Sequence, residues 1–114
     1  MKNDKNLFPP ATPHMSTKRA NLAPEITEAF RNFSRTVFKE GALDEKTKQL
    51  IAVAVAHVTQ CPYCIKGHTK IALKKGVTNK ELMEAIWVAS EMRAGAAYAH
   101  SAIAIDEMGI LDEE

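Results

Sequence analysis

The chain has 114 residues and a mass of 12.6 kDa, which fits one domain and excludes a second hydrophobic core of ordinary size. Apolar residues make up 46% and charged residues 25%, which excludes a disordered or collagen-like chain. The net charge of +1 does not indicate binding to nucleic acid or to an anionic membrane. The longest unbroken apolar run, residues 50–56, is far shorter than the roughly 20 residues of a membrane span, so no transmembrane helix is predicted.

The N-terminal residues indicate neither a signal peptide nor a compact element. They carry charge but no apolar stretch behind it, so we expect a cytoplasmic protein, a location in which structural disulfides are rare. Pro9, Pro10 and Pro13 fall in a segment with few large apolar groups, so residues 1–22 are predicted to form an extended arm. Residues 23–114 are predicted to form a single helical domain.

The spacing of apolar residues predicts helices, since no segment alternates with the period of two that marks a strand. The first predicted helix begins near Pro24, has one apolar face and ends at Gly41. The second begins after Asp44, a good N-cap residue, and runs to about Gln60. Its second half is apolar on nearly every side, which predicts a position in the middle of the core.

Three further helices are predicted downstream. One runs from Pro62 to Gly76, and the next begins with the capping-box spacing of Thr78 and Glu81. We expect this helix to be interrupted at residues 93–95, Arg-Ala-Gly, and a last, alanine-rich helix to follow over about residues 96–108. The predicted fold class is therefore all-α, a bundle of about five to six helices.

The predicted helix that contains Trp87 has two apolar faces. Such a helix lies either at the centre of a core or at a subunit interface, and small domains often gain stability by oligomerising. The sequence leaves both alternatives open.

Cys61 and Cys64 are the two cysteines of the chain, and they form a Cys-x-x-Cys motif at the start of the third predicted helix. At about 100° per residue, Cys61, Cys64 and His68 share an arc of roughly 60°. The helix dipole and the unpaired N–H groups of a first turn favour thiolate over thiol, and an imidazolium one turn away acts in the same direction. The pattern predicts nucleophilic sulfur chemistry, with a second thiol close enough to form a disulfide.

Three other interpretations of the motif are weaker. The two cysteines and His68 could line the inner face of a helix, as small buried side chains do. They could bind zinc together with His57, but no second cysteine or histidine pair at finger-like spacing accompanies them. Cys-Pro-Tyr-Cys is also the glutaredoxin form of the motif, but that fold needs a strand directly before it, where this sequence predicts a helix. We therefore expect no metal and no other cofactor.

The sequence around the motif resembles the alkylhydroperoxidase D-like branch of the carboxymuconolactone decarboxylase superfamily. The resemblance is carried by the apolar helix of residues 43–56, by Cys61-x-Tyr63-Cys64-Ile65-x-x-His68, and by Gly76-Val77-x-x-x-Glu81-Leu82-x-Glu84-Ala85. It covers about residues 24–108. It implies a small all-helical fold that assembles as homo-trimers or hexamers, and a thiol-dependent reduction of peroxides.

The resemblance also implies roles for the residues of the motif. The family oxidises the second cysteine, here Cys64, to a sulfenic acid. The first cysteine, here Cys61, gives a proton to the departing oxygen and then resolves the sulfenic acid as a disulfide. His68 corresponds to the histidine of a proton relay that activates the thiol. The decarboxylases of the superfamily generally lack the cysteine pair, so the pair favours the redox branch.

Two positions depart from the family pattern. The family relay usually includes a glutamate 12 residues before the first cysteine, where this sequence has Gln49. An amide can orient His68 but cannot accept a proton or supply charge. The additional family histidine between the cysteines is Tyr63 here. His57 either joins the relay or is a core histidine bonded to a backbone carbonyl. Glu81 and Glu84 either replace the missing carboxylate or are solvated surface residues.

The sequence therefore predicts a cytoplasmic thiol peroxidase or disulfide oxidoreductase, an antioxidant enzyme that reduces organic hydroperoxides through the Cys61–Cys64 dithiol. The expected partners are the peroxide, an unidentified thiol or disulfide reductant, and further copies of the chain, with neither nucleic acid nor membrane. A non-catalytic redox-sensing oligomer is the first alternative, motivated by Gln49 and the apolar excess. A decarboxylase-type enzyme, which would not need the cysteines, is the second.

Overall fold

The structure is a computed structural model that describes residues 7–111. Across these residues the chain forms five α-helices and no β-strand, which confirms the all-α prediction. The helices are α1 (Pro13–Leu22), α2 (Pro24–Phe38), α3 (Glu45–Thr59), α4 (Pro62–Lys74) and α5 (Asn79–Met108). The chain divides into two compact units between Lys39 and Glu40. Within residues 7–111, we find no helix with the length and apolarity that a bilayer crossing requires.

The first unit contains a helix that was not expected from the sequence. Residues 13–22, predicted as part of an extended arm, form α1, because Pro13 occupies the first turn and the Thr12 hydroxyl accepts the backbone N–H of Met15 at 3.1 Å. α1 packs against α2, and Arg31 Nη2 donates a hydrogen bond to Ser16 Oγ at 3.0 Å. The start of the predicted arm, residues 1–6, lies outside the described residues, and the boundary of the arm stays a prediction.

α3 is the central helix of the second unit, since it packs against both α4 and α5. The predicted N-cap is present: the Asp44 carboxylate accepts the backbone N–H of Thr47 at 2.7 Å, a bond that lowers the pKa of Asp44. Val53 is completely buried in α3, whereas Ile51 and Val55 are 46% and 51% exposed. The prediction that the second half of α3 lies in the middle of the core is therefore correct for one face of the helix only. The buried cluster consists of Val53, Ala72, Val77 and Leu82, against which Leu50 and Ile86 pack.

α5 begins as the sequence predicts. The Thr78 hydroxyl accepts the backbone N–H of Glu81 at 3.1 Å, and the Glu81 carboxylate accepts the backbone N–H of Thr78 at 2.8 Å, which completes a capping box. The second of these bonds is the main reason why the pKa of Glu81 is lowered. Val77 and Leu82, on either side of the cap, are both buried in the core cluster.

The predicted interruption of α5 at residues 93–95 is wrong, since the helix continues without a break from Asn79 to Met108. A glycine costs a helix only about 1 kcal/mol relative to alanine, and Gly95 is flanked by alanines that favour the helix. Arg93 adds a tertiary contact, because its Nη1 donates a hydrogen bond to the backbone carbonyl of Val58 at 2.8 Å. α5 ends where Gly109 adopts a left-handed conformation.

We expect Thr78→Ala to lower the free energy of unfolding by about 1 kcal/mol, since the variant loses the hydroxyl that caps α5. Urea denaturation checks this as a lower midpoint with an unchanged slope. Thr78→Ser is the matched control, because it retains the hydroxyl, and its midpoint should stay close to that of the wild type. Equal midpoints for the alanine variant and the wild type would contradict a stabilising cap.

Candidate functional site

The two cysteines lie at the first turn of α4 and are joined in a disulfide, with a Cα–Cα distance of 5.3 Å. Cys61 is the N-cap residue, Pro62 follows at the first helical position, and Cys64 completes the first turn. The backbone N–H of Cys64 donates a hydrogen bond to Cys61 Sγ at 3.2 Å. A donor of this kind, together with the positive end of the helix dipole, stabilises negative charge on the sulfur whenever the disulfide is opened.

A tight reversal of the chain brings the end of α3 to the start of α4. Gln60 has φ 58°, in the left-handed region, and ends α3 with its backbone N–H bonded to Ala56. The backbone N–H of Cys61 then donates to the same carbonyl at 3.2 Å. Only Gln60 and Cys61 separate the two helices, so the position of Cys61 is determined by the end of α3.

His68 and Gln49 form the polar contact between α4 and α3. Nδ1 of His68 lies 2.8 Å from Oε1 of Gln49, and Gln49 is 4% exposed. An amide oxygen can only accept, so Nδ1 carries the proton, and Nε2 of the neutral imidazole carries the lone pair. The orienting role suggested for Gln49 matches this contact. Cys64 and His68 lie one turn apart on the same face of α4.

The structure does not bring His57 into this contact. Its Nδ1 donates a hydrogen bond to the backbone carbonyl of Val53 at 2.8 Å, which corresponds to the core-histidine alternative left open by the sequence. The side chain instead lines a separate cavity beside α4. Glu81 is likewise engaged elsewhere, in the capping box of α5 and in an ion pair with Lys46 at 3.4 Å. Within residues 7–111, no three histidine, cysteine or acidic side chains come together as a metal-binding group.

The cavity beside α4 was not predicted from the sequence. It is lined in part by Lys66 and Lys70, to which no role was assigned from the sequence. The spacing of the two lysines could have indicated this charged face, because residues four apart on a helix lie on the same face. This face also carries Pro62 and Ile65, so the combination of two positive charges with two apolar residues could have been read from the sequence.

Comparisons with known proteins agree with the fold. The model of the carboxymuconolactone decarboxylase family matches residues 24–107. The chain is 61% identical over 97 residues to the "uncharacterized protein 4 in cox locus" of Paracoccus denitrificans, which covers 85% of this chain and 83% of the relative.

Solved structures also match the fold of this chain. A protein from Methanobacterium thermoautotrophicum has a TM-score of 0.70 and 40% identity, over 73% of this chain and 93% of its own. A carboxymuconolactone decarboxylase family protein from Legionella pneumophila has a TM-score of 0.68 and 35% identity, over 82% of this chain and 83% of its own. A family member from Thermotoga maritima, at 24% identity and a TM-score of 0.53, covers 71% of this chain and 93% of its own and shows the fold alone.

We expect Gln49→Leu to remove the preference for the Nδ1–H tautomer of His68, because leucine offers no acceptor. Long-range ¹H–¹⁵N spectra of the imidazole rings, recorded where the rings are neutral, distinguish the two tautomers. His57 serves as the internal control, since its Nδ1 bonds to a backbone carbonyl that the substitution leaves in place. If the spectrum of His68 were the same in variant and wild type, Gln49 would not be its orienting partner.

Proposed function

The chain belongs to the carboxymuconolactone decarboxylase family, and we propose that it is a thiol-dependent peroxidase or disulfide oxidoreductase that reduces organic hydroperoxides through Cys61 and Cys64. The supporting observation is the joined cysteine pair at the first turn of α4, with His68 one turn further along. An antioxidative role has also been suggested for the Thermotoga maritima relative. The proposed location is the cytoplasm, where thiol reductants can return the disulfide to the dithiol.

In the first proposed step, the reduced protein attacks the peroxide. Nε2 of His68 takes the proton of the Cys64 thiol, and the resulting thiolate attacks the terminal peroxide oxygen. The O–O bond breaks, Cys64 becomes a sulfenic acid, and the departing alkoxide takes the proton of the Cys61 thiol and leaves as an alcohol. The sulfur of Cys64 is oxidised by two electrons and the peroxide is reduced by two.

In the second step, the Cys61 thiolate attacks the sulfur of the sulfenic acid. The S–S bond forms, and the departing hydroxide takes the proton held by His68 and leaves as water. The disulfide of the structure is the product of this step. One peroxide and two thiols thus give one alcohol, one water and one disulfide.

The third step returns the disulfide to the dithiol. Of the two sulfurs, Cys61 Sγ is the better leaving group, because it accepts the backbone N–H of Cys64. An external dithiol therefore attacks Cys64 and forms a mixed disulfide with it. The second thiol of the reductant then releases Cys64, so that the protein gains two electrons and two protons in all.

We expect Cys64→Ser to abolish the turnover of cumene hydroperoxide with dithiothreitol as reductant, because the attacking sulfur is missing. In Cys61→Ser, one equivalent of peroxide should oxidise Cys64 to a sulfenic acid that cannot close to the intramolecular disulfide. Mass spectrometry after trapping with a sulfenic-acid reagent detects this product. Each serine variant replaces one sulfur atom of the motif with oxygen, so the two variants serve as controls for each other.

Other outcomes of this experiment identify the alternatives. Turnover that survives in Cys64→Ser but not in Cys61→Ser would assign the attack to Cys61. A lactone or decarboxylation activity that survives the loss of both cysteines would support a decarboxylase-type enzyme instead.

We further propose that the protein works as a homo-oligomer, a trimer or a hexamer. α5 exposes three large apolar side chains within two turns, with Trp87 65%, Val88 61% and Met92 62% exposed. α3 exposes part of its apolar surface as well, including Val58. Large aromatic residues with this exposure are typical of the centres of interfaces.

We expect Trp87→Lys to weaken the association of subunits by at least about 100-fold, because a charge would replace a buried aromatic side chain at the interface. Light scattering coupled to size-exclusion chromatography measures the mass of the assembly. Glu84→Lys is the matched control, since it places a lysine one turn away on α5 at a residue that is already charged and exposed. A wild-type protein that elutes as a single chain would contradict the proposed assembly.

A redox-sensing oligomer without peroxidase activity is the second candidate, and Gln49 is the observation that favours it. The amide orients His68 but supplies no negative charge, so the imidazolium formed in the first step faces an amide and not a carboxylate at residue 49. This candidate predicts that the mass of the assembly differs between the oxidised and the reduced protein. The same mass in both states, with rapid consumption of peroxide, would exclude it.

A further inference from the structure

A surface pocket of about 720 Å³ that opens widely to solvent, called the cavity below, lies in the second unit beside the turn between α3 and α4. Its α4 wall consists of Pro62, Ile65, Lys66, Thr69 and Lys70, and His57 lines it from α3. At about 100° per residue, these five α4 positions share a face that differs from the face of Cys64 and His68. The volume lies in the range of small-molecule sites, which is roughly 300–1,000 Å³.

The wall of the cavity is divided into an apolar side and a positively charged side. Ile65 lies at one edge of the α4 face and Lys70 at the other, with Pro62 near the centre and Lys66 one helical turn before Lys70. Among residues 7–111, no acidic side chain lines the cavity. Within residues 7–111, neither lysine takes part in an ion pair. Two uncompensated positive charges therefore stand beside an apolar surface.

We propose that this cavity binds an organic carboxylate with a hydrocarbon chain. The ammonium groups of Lys66 and Lys70 would hold the carboxylate, while the hydrocarbon chain would lie against Ile65 and Pro62 and lose contact with water. Lysine suits a single negative charge approached from several directions, since it lacks the planar fork of arginine. Nδ1 of His57 donates its proton to the carbonyl of Val53, so Nε2 of the neutral ring carries a lone pair and does not donate to the carboxylate, which is held by the two lysines.

This site does not depend on the proposed peroxidase reaction, because it uses neither cysteine and involves no redox step. Binding is therefore measured on the oxidised wild-type protein without turnover. The probe is decanoate, compared with decan-1-ol, which has the chain without the charge, and with butyrate, which has the charge with a short chain. Isothermal titration calorimetry below the concentrations at which micelles form gives the three affinities.

We expect decanoate to bind at least about tenfold more tightly than either decan-1-ol or butyrate. Decan-1-ol lacks the charge that contacts the lysines, and butyrate lacks most of the chain that contacts the apolar residues. Each methylene added between octanoate and decanoate should improve the affinity by about twofold to fourfold. A fourfold gain is expected when the added methylene is fully buried. Decanoate should shift the backbone amide resonances of Ile65, Thr69 and Lys70 in ¹H–¹⁵N spectra.

Variants of the two lysines test whether their charges contribute to binding. Lys66→Gln and Lys70→Gln should each weaken decanoate binding by about threefold and the double variant by about tenfold. Lys80→Gln is the control, because it removes the same charge from an exposed residue that does not line the cavity. Equal affinities for decanoate and decan-1-ol, equal losses in the control and the cavity variants, or shifts confined to residues outside the cavity would each overturn the proposal.

Discussion

The packing of α4 against α3 is the constraint on which the candidate site depends. The two helices are separated by only Gln60 and Cys61, and the left-handed conformation of Gln60 turns the chain so that α4 begins at the end of α3. The buried bond between Gln49 and His68 then links the two helices further from the turn. Because both ends of the pair are held, α4, which carries the cysteine motif and the imidazole, is fixed against α3.

Much of this arrangement could be predicted from the sequence, because it depends on residues that are close together in the chain. The cap at Asp44, the capping box of Thr78 and Glu81, and the helix start at Pro62 each involve residues at most three positions apart. The shared face of Cys64 and His68 follows from helical geometry alone. Local rules of this kind require no knowledge of which helices pack together.

The features that the sequence did not reveal depend on tertiary contacts or on small differences in free energy. The continuity of α5 through residues 93–95 involves a bond from Arg93 to Val58, which is 35 residues away. The bond of His57 to the Val53 carbonyl was one of two alternatives, and only the packing of the side chain decides between them. The helix of residues 13–22 follows from a local cap at Thr12, a signal that the sequence contained and that the prolines before it obscured.

The neutral amide of Gln49 affects which charges can be stabilised at the candidate site. A glutamate at this position would combine orientation of His68 with a negative charge, whereas the amide retains only the orientation. A glutamate would stabilise an imidazolium and not a thiolate directly, so negative charge on sulfur depends on the start of α4, where the N–H of Cys64 donates to Cys61 Sγ and the helix dipole is positive. Both contributions come from the backbone of the first turn. The stabilising groups that the structure offers the cysteine pair therefore come from the helix cap, while Gln49 contributes a neutral hydrogen bond to His68.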